Sequence, residues 1–319
     1  MFSLSAYDFA ANLHLYRWKD LNILLDVNSG AIHLLDDLAY ETVEKITYYQ
    51  GDRSRALEDL SSKYPEDEVQ QVMTELGALY EQGGLFSADE TPRVDLSSMH
   101  VKAICLNVAH ACNMRCYYCF ASQGDFGMKP CLMDLETGKK AMEFLIANSG
   151  KIKNLEVDFF GGEPLLVADM LKDLVSYCRQ REKETGKRFN FTLTTNSLLL
   201  DDEISDWVIK NDISLILSLD GRKEVNDQHR VLPNGQGTYD MIMPHIKGVV
   251  DKNPVSYYVR GTFTRKNLDF ASDLQHMIDL GFDCISVEPA VGPDNGFSIM
   301  EENLPQVLTE YERLTDSLL

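Results

Sequence analysis

The chain has 319 residues, 44% of them hydrophobic, which is enough for two or three domains with sizeable cores. Its formal net charge of -20 argues against nucleic-acid backbones and anionic membranes as main partners. That charge suits a basic peptide or an electron carrier with a positive face. No apolar run approaches the roughly 18 residues that span a bilayer, and Met1-Phe2-Ser3 opens no charged-then-apolar targeting signal. Seven cysteines, three of them clustered, do not make a disulfide framework, so a reducing cytoplasm is expected.

Residues 1–90 read as a small separate domain. LHLYRW (13–18) and NILLDV (22–27) have the aromatic and aliphatic content of strands. Asn28-Ser29-Gly30 is a turn leading into AIHLL (31–35). Asp36 and Asp37 offer N-caps to a helix through Tyr40, Val43 and Ile46. A second helix covers about 54–63 and ends at Tyr64-Pro65. A third carries Val69, Val72, Met73, Leu76 and Leu79 at helical spacing and stops at Gly83-Gly84. Strands followed by three short helices predict a winged helix-turn-helix. Its third helix holds Glu rather than Lys or Arg, which argues against DNA. Residues 91–100 are polar, with Pro92, and read as a linker.

From residue 101 to 319 the pattern alternates strand and helix. Strands are expected at 101–108, 155–160, 189–195, 213–219, 255–264 and 283–288. Helices are expected at 134–149, 165–183, 200–210, 239–253, 266–280 and 303–319. Six βα units in sequence predict a parallel sheet with helices outside it, a partial (βα)6 barrel. Sites on such sheets lie at the carboxyl ends of the strands.

The first of those ends runs into CNMRCYYC (112–119). Three thiolates from Cys112, Cys116 and Cys119 on one short loop can converge on one inorganic centre. A [4Fe-4S] cluster normally takes four cysteines, so three would leave one iron open. A zinc site completed by a distant ligand, or free thiols, are the competing readings. Cys105 and Cys284 sit in apolar strands and read as core. Cys178 falls in a helix, Cys131 has no evident partner, and Phe120 reads as packing.

The spacing CxxxCxxC, with Tyr118 before the last cysteine, resembles the radical S-adenosylmethionine (radical SAM) family. There the open iron binds the amino and carboxylate groups of SAM, and reduction cleaves SAM to methionine and a 5′-deoxyadenosyl radical. By this resemblance Tyr118 meets the adenine. Gly161, Gly162 and Glu163, followed by Pro164, match the GGEP motif that meets the SAM amino group. Thr195 and Asn196 end the third strand and can meet the ribose or hold the loop. Ser218, Asp220 and Arg230 match SLDGxxxxxDxxR, in which Ser218 and Arg230 hold the SAM carboxylate and Asp220 orients the loop. Arg260 is a charge within an otherwise apolar strand and is expected to face a polar cavity. Glu288 and Val291 reach the same rim, and backbone near Val291 can contact adenine. No substrate-deprotonating residue is assigned.

NILLDVNSGAIHLLDD resembles the front domain of maturases of short multi-cysteine peptides called SCIFF (six cysteines in forty-five), where a leader peptide adds a strand to the hairpin sheet. The resemblance implies thioether cross-links between Cys sulfur and a carbon, often of Thr, in a Cys-rich precursor. It also implies an electron donor such as ferredoxin or flavodoxin. The alternatives are a sulfatase-type Cys or Ser oxidase and, further off, a silent leader-binding module. Enzymes of this type usually continue into a cysteine-rich region of the SPASM type that holds auxiliary [4Fe-4S] clusters. The sixth helix closes at Leu319, so those clusters are expected only in a further C-terminal region.

Overall fold

In the computed structural model, the described residues are 4, 7–89, 99–293 and 296–318. The chain divides into two compact units, Met1–Ser97 and Ser98–Leu319. The linker expected at 91–100 falls, apart from Met99 and His100, outside the described residues.

The first unit begins with a short helix α1 (Phe9–Asn12), then an antiparallel sheet in the order β1-β2-β3, with β1 Leu13–Trp18, β2 Leu21–Asp26 and β3 Ala31–Leu35. The turn before β3 sets Gly30 at a φ of 70°, where glycine meets no Cβ penalty. Helices α2 (Asp37–Tyr48), α3 (Arg53–Leu60) and α4 (Glu66–Glu81) follow. Asp36 caps α2 by accepting from the Ala39 N–H at 2.7 Å. One face of the sheet and these helices bury Leu24, Val43, Ile46, Leu60, Val69 and Leu76 in a core of their own. The other face exposes Tyr16, Ile32 and Leu34.

The second unit is a six-stranded sheet in the order β4-β5-β6-β7-β8-β9, every pair parallel. The strands are β4 Ala103–Ala109, β5 Asn154–Gly161, β6 Arg188–Thr195, β7 Ile213–Ser218, β8 Tyr257–Phe263 and β9 Ile285–Pro289. The helices are α5 Leu135–Asn148, α6 Ala168–Thr185, α7 Asp202–Lys210, α8 Lys223–His229, α9 Tyr239–Asp251, α10 Phe270–Asp279 and α11 Leu304–Leu318. All six expected strands and helices are present with ends shifted by a few residues, and α8 is an addition to them. This is a partial (βα)6 barrel. Among the described residues no helix is long and apolar enough to cross a membrane.

The strands alternate. Leu106, Val157, Phe159, Phe191, Leu193, Leu215 and Val259 are buried in the sheet–helix core. Phe159 and Phe191 stack there with centroids 5.4 Å apart. The alternate positions form an open face along which Asn107, Asp158, Asn190 and Arg260 are exposed, with Tyr258 beside them. Cys105 belongs to that open face and is exposed, contrary to its expected place in the core. Cys284 is only partly buried, whereas Cys178 in α6 is buried.

Candidate functional site

The carboxyl ends of the strands surround one cavity of about 440 Å³. Cys112, Cys116 and Cys119 line one side; Ser218, Arg230, Arg260 and Val291 are among the residues lining the remainder.

The cysteine loop is held by main chain more than by its own side chains. Residues 131–133 run beside the end of β4, where the His110 N–H donates to the Cys131 carbonyl at 2.8 Å and the Met133 N–H to the Val108 carbonyl at 2.9 Å. Within the loop, Arg115 Nη1 donates to the carbonyls of Cys112 (2.7 Å) and Met114 (2.8 Å). Met114 is fully buried and pins the loop to the sheet core. The loop's far side docks on residues at and after the end of α8: the Arg115 N–H meets the Val231 carbonyl at 2.7 Å, and the Tyr117 N–H meets that of His229 at 3.1 Å.

Burial raises the Cys112 thiol above its ordinary pKa and pushes that of Cys116 up to about 11, with the Arg230 guanidinium opposing both. Such thiols ionise on binding a metal centre, which supplies the positive charge they lack. Among the described residues no three His, Cys, Asp or Glu side chains are drawn together around a single metal ion. Three thiols on one loop, all lining the cavity, fit a cluster whose irons each take one sulfur.

At the end of β5 the glycines are required by the neighbouring backbone as well as by any ligand. A Cβ on Gly161, whose φ is 137°, would lie 2.5 Å from the Ala109 carbonyl oxygen; one on Gly162 would lie 2.1 Å from that of Ala111. Both glycines line the cavity, but Glu163 does not. Its carboxylate is fully buried and accepts from Thr195 Oγ1 (2.8 Å), the Leu165 N–H (3.0 Å) and the Asn196 N–H (2.8 Å). Burial raises its pKa against those hydrogen bonds. Glu163 thus fixes Thr195 and Asn196, which do face the cavity. Asn196 Nδ2 in turn donates to Asn113 Oδ1 at 2.7 Å and lies 3.6 Å from Cys112 Sγ.

Asp220 also stands behind the wall. The Tyr118 hydroxyl donates to its carboxylate at 2.7 and 2.9 Å, and the Thr262 N–H donates at 3.1 Å. Arg230 Nη1 donates to the Tyr118 hydroxyl at 3.1 Å. Burial and the neighbouring Asp220 charge hold the Tyr118 pKa well above its ordinary value, so it remains a neutral donor. Arg230 is 6% exposed, and its Nε has no hydrogen-bond partner among the described residues. An unpartnered buried guanidinium donor beside a cavity calls for an anionic acceptor there. The carboxylate of an amino-acid-like ligand fits it.

Arg260 lies opposite, half-exposed and paired with Glu288 of the next strand. Val291 is 78% exposed at the rim. Phe120, expected as packing, is 80% exposed; it stacks on Phe160 at 6.2 Å and lines the cavity mouth. Sequence reasoning also passes over Gly124, where a Cβ would lie 2.5 Å from that of Cys112. Its φ is 103°, and a glycine five residues past the last cysteine is the only signal the sequence carries for it.

Residues 106–264 match the family model described as Radical SAM superfamily. That match falls within the barrel unit and spans just under half of the chain. The superfamily's cofactors, a [4Fe-4S] cluster and SAM, fit the thiol wall and the unpartnered Arg230. An uncharacterized protein of Methanocaldococcus jannaschii is 27% identical over 191 residues, covering 59% of this chain and 62% of its own length. A cysteine-type anaerobic sulfatase-maturating enzyme of Clostridium novyi is 29% identical over 164 residues, covering 49% of this chain and 41% of its own length. The chain thus spans about half the length of the curated relatives it matches. The fold of Streptococcus suis SuiB bound to S-adenosylmethionine covers 97% of this chain and 69% of SuiB, with a TM-score of 0.51 at 14% identity.

Proposed function

We propose that this chain is the cofactor-binding and leader-binding part of a radical SAM peptide maturase that forms thioether cross-links in a Cys-rich precursor. The supporting observation is the sheet of the first unit. β3 lies at an edge of that sheet among the described residues, and Ile32 and Leu34 beside the edge are 69% and 68% exposed. An extended leader peptide adds a strand to such an edge and sets alternate side chains against such residues. A winged helix-turn-helix unit spanning about residues 1–90 would in this reading serve the leader, not DNA.

The bound cluster and SAM supply the radical that removes a hydrogen atom from the acceptor carbon. Cys112, Cys116 and Cys119 hold the cluster, and Arg230 and Ser218 hold the SAM carboxylate. Gly161 and Gly162 let the SAM amino group come close to main-chain carbonyls, while Thr195, Asn196 and Val291 line its ribose and adenine. Glu163 and Asp220 act one layer back, by fixing Asn196 and Tyr118. Arg260 stands on the open polar face, where the substrate segment would lie. The donor of the reducing electron is a small carrier of the ferredoxin or flavodoxin kind, and the compartment is the cytoplasm.

The test pairs the protein expressed from its gene with the short Cys-rich peptide encoded nearest to it. Cluster-reconstituted, reduced and given SAM, it should remove two hydrogens from the peptide per bond formed, and block one thiol to alkylation each time. The similarity to a sulfatase-maturating enzyme favours a second reading, a sulfatase-type oxidation of a Cys or Ser side chain. A product that reacts with a hydrazide and contains no cross-link would establish that reading and end the first.

A further inference from the structure

His229 closes α8 and is fully buried. The cysteine motif and the SAM motifs leave it without a role. Its carbonyl receives the Tyr117 N–H of the cysteine loop. Its ring meets Tyr118 edge-on at 5.8 Å on one side and Phe297 at 5.6 Å and 85° on the other. Nε2 lies 3.3 Å from Thr264 Oγ1, which fixes the plane of the ring, whereas Nδ1 has no partner among the described residues. Phe297 in turn stacks on Tyr117 at 6.1 Å and 4°, and its carbonyl accepts from the Arg265 N–H at 3.0 Å. It lies in the segment after β9 that also carries Val291. That segment is closed at its base by the Ile299 N–H to the Ala290 carbonyl at 2.9 Å.

One imidazole therefore joins Tyr118, which lines the cavity, to Phe297 behind it. An apolar ring would fill the same space with no buried nitrogen left unpaired, so space-filling alone does not account for histidine here. What histidine adds is orientation: the Thr264 contact turns the ring so that both aromatic neighbours meet it at a steep angle, a favoured aromatic geometry. We propose that His229 is a positioning residue, a wedge that fixes Tyr118 of the cysteine loop against Phe297, so that SAM affinity depends on it. The proposal rests on the reading of the cavity as the SAM site.

The measurement is SAM affinity by equilibrium dialysis on cluster-reconstituted protein, with iron content determined beside it. H229Q and F297A should each weaken SAM binding about tenfold, as expected for losing aromatic contacts, while retaining native iron. The double variant should be no weaker than the stronger single by more than about twofold, because both remove the same wedge. H229F, which keeps a ring but not the Thr264 contact, should recover only part of that loss. In the reduced protein, the change that SAM makes to the cluster's EPR signal should need correspondingly more SAM in H229Q. Native affinity in H229Q and F297A, or fully additive losses in the double variant, would overturn the proposal. Should H229Q fail to hold the cluster, F297A decides alone, since Phe297 is only partly buried. If the unaltered protein itself binds no SAM, it is the cofactor reading that falls.

Discussion

The two sheets of this chain leave surfaces of different balance uncovered, one mainly apolar and one mainly polar. The three-stranded antiparallel sheet exposes Tyr16, Ile32 and Leu34, all apolar or aromatic. The six-stranded parallel sheet exposes Asn107, Asp158, Asn190 and Arg260 on its open face. Parallel sheets are usually covered on both faces and read as continuous apolar runs. A polar open face on one marks a trough meant for solvent and substrate. An apolar open face on a small sheet marks a surface that gains by being covered. The difference lies in side-chain alternation, and the proposed function uses it: chemistry in one unit, recognition in the other.

That division breaks most completely at the cysteines. Replacing Cys112, Cys116 and Cys119 together with Ala should remove all cluster iron and its visible absorption from anaerobically reconstituted protein; iron retained by the triple variant would end the cluster assignment. Next comes the covered side of the parallel sheet. Phe191→Ala should cost about 3–5 kcal/mol in urea unfolding. By contrast Asn190→Ala, one residue along on the open face, should stay within about 0.5 kcal/mol. Equal costs would mean that the open face is itself a packed interface. At the carboxyl end of the trough, Arg230→Met should weaken SAM binding by about 10- to 100-fold, the worth of a charge-assisted hydrogen bond. A smaller loss would place the SAM carboxylate elsewhere. On the other sheet, Leu34→Glu should lower affinity for a labelled leader peptide about tenfold with an unchanged melting temperature. Undiminished binding would move the leader off this surface.

Much of this is legible in the sequence. The strands of the parallel sheet carry apolar residues at alternate positions, and Asp134 and Asp201 stand where α5 and α7 begin. The cysteine spacing and Gly161-Gly162-Glu163-Pro164 fall at strand ends as expected. Helix α8 escapes notice because its seven residues, KEVNDQH, carry one apolar side chain and no helical period. Cys105 is misplaced for a related reason: an apolar neighbourhood suggests core, but strand alternation puts Leu106 under the helices and Cys105 on the open side. Phe120 misleads because aromatic residues are usually packed, and this one forms the mouth. No local pattern announces contacts such as Arg115 to Val231 or Tyr117 to His229, because they join segments about 110 residues apart and depend on tertiary closure.

The strand order of the parallel sheet follows the order of the chain without a reversal. During synthesis each new strand would therefore meet a partner that already exists. The cysteine loop, which follows the first strand of the six, is less fortunate. The carbonyls of His229 and Val231 that hold it emerge more than a hundred residues later. At about 5–20 residues per second, that is a wait on the order of ten seconds. For that interval three thiols are on the ribosome with their docking surface unmade, open to oxygen and to the wrong metal. Docking of the cysteine loop is thus timed by translation: it follows completion of α8.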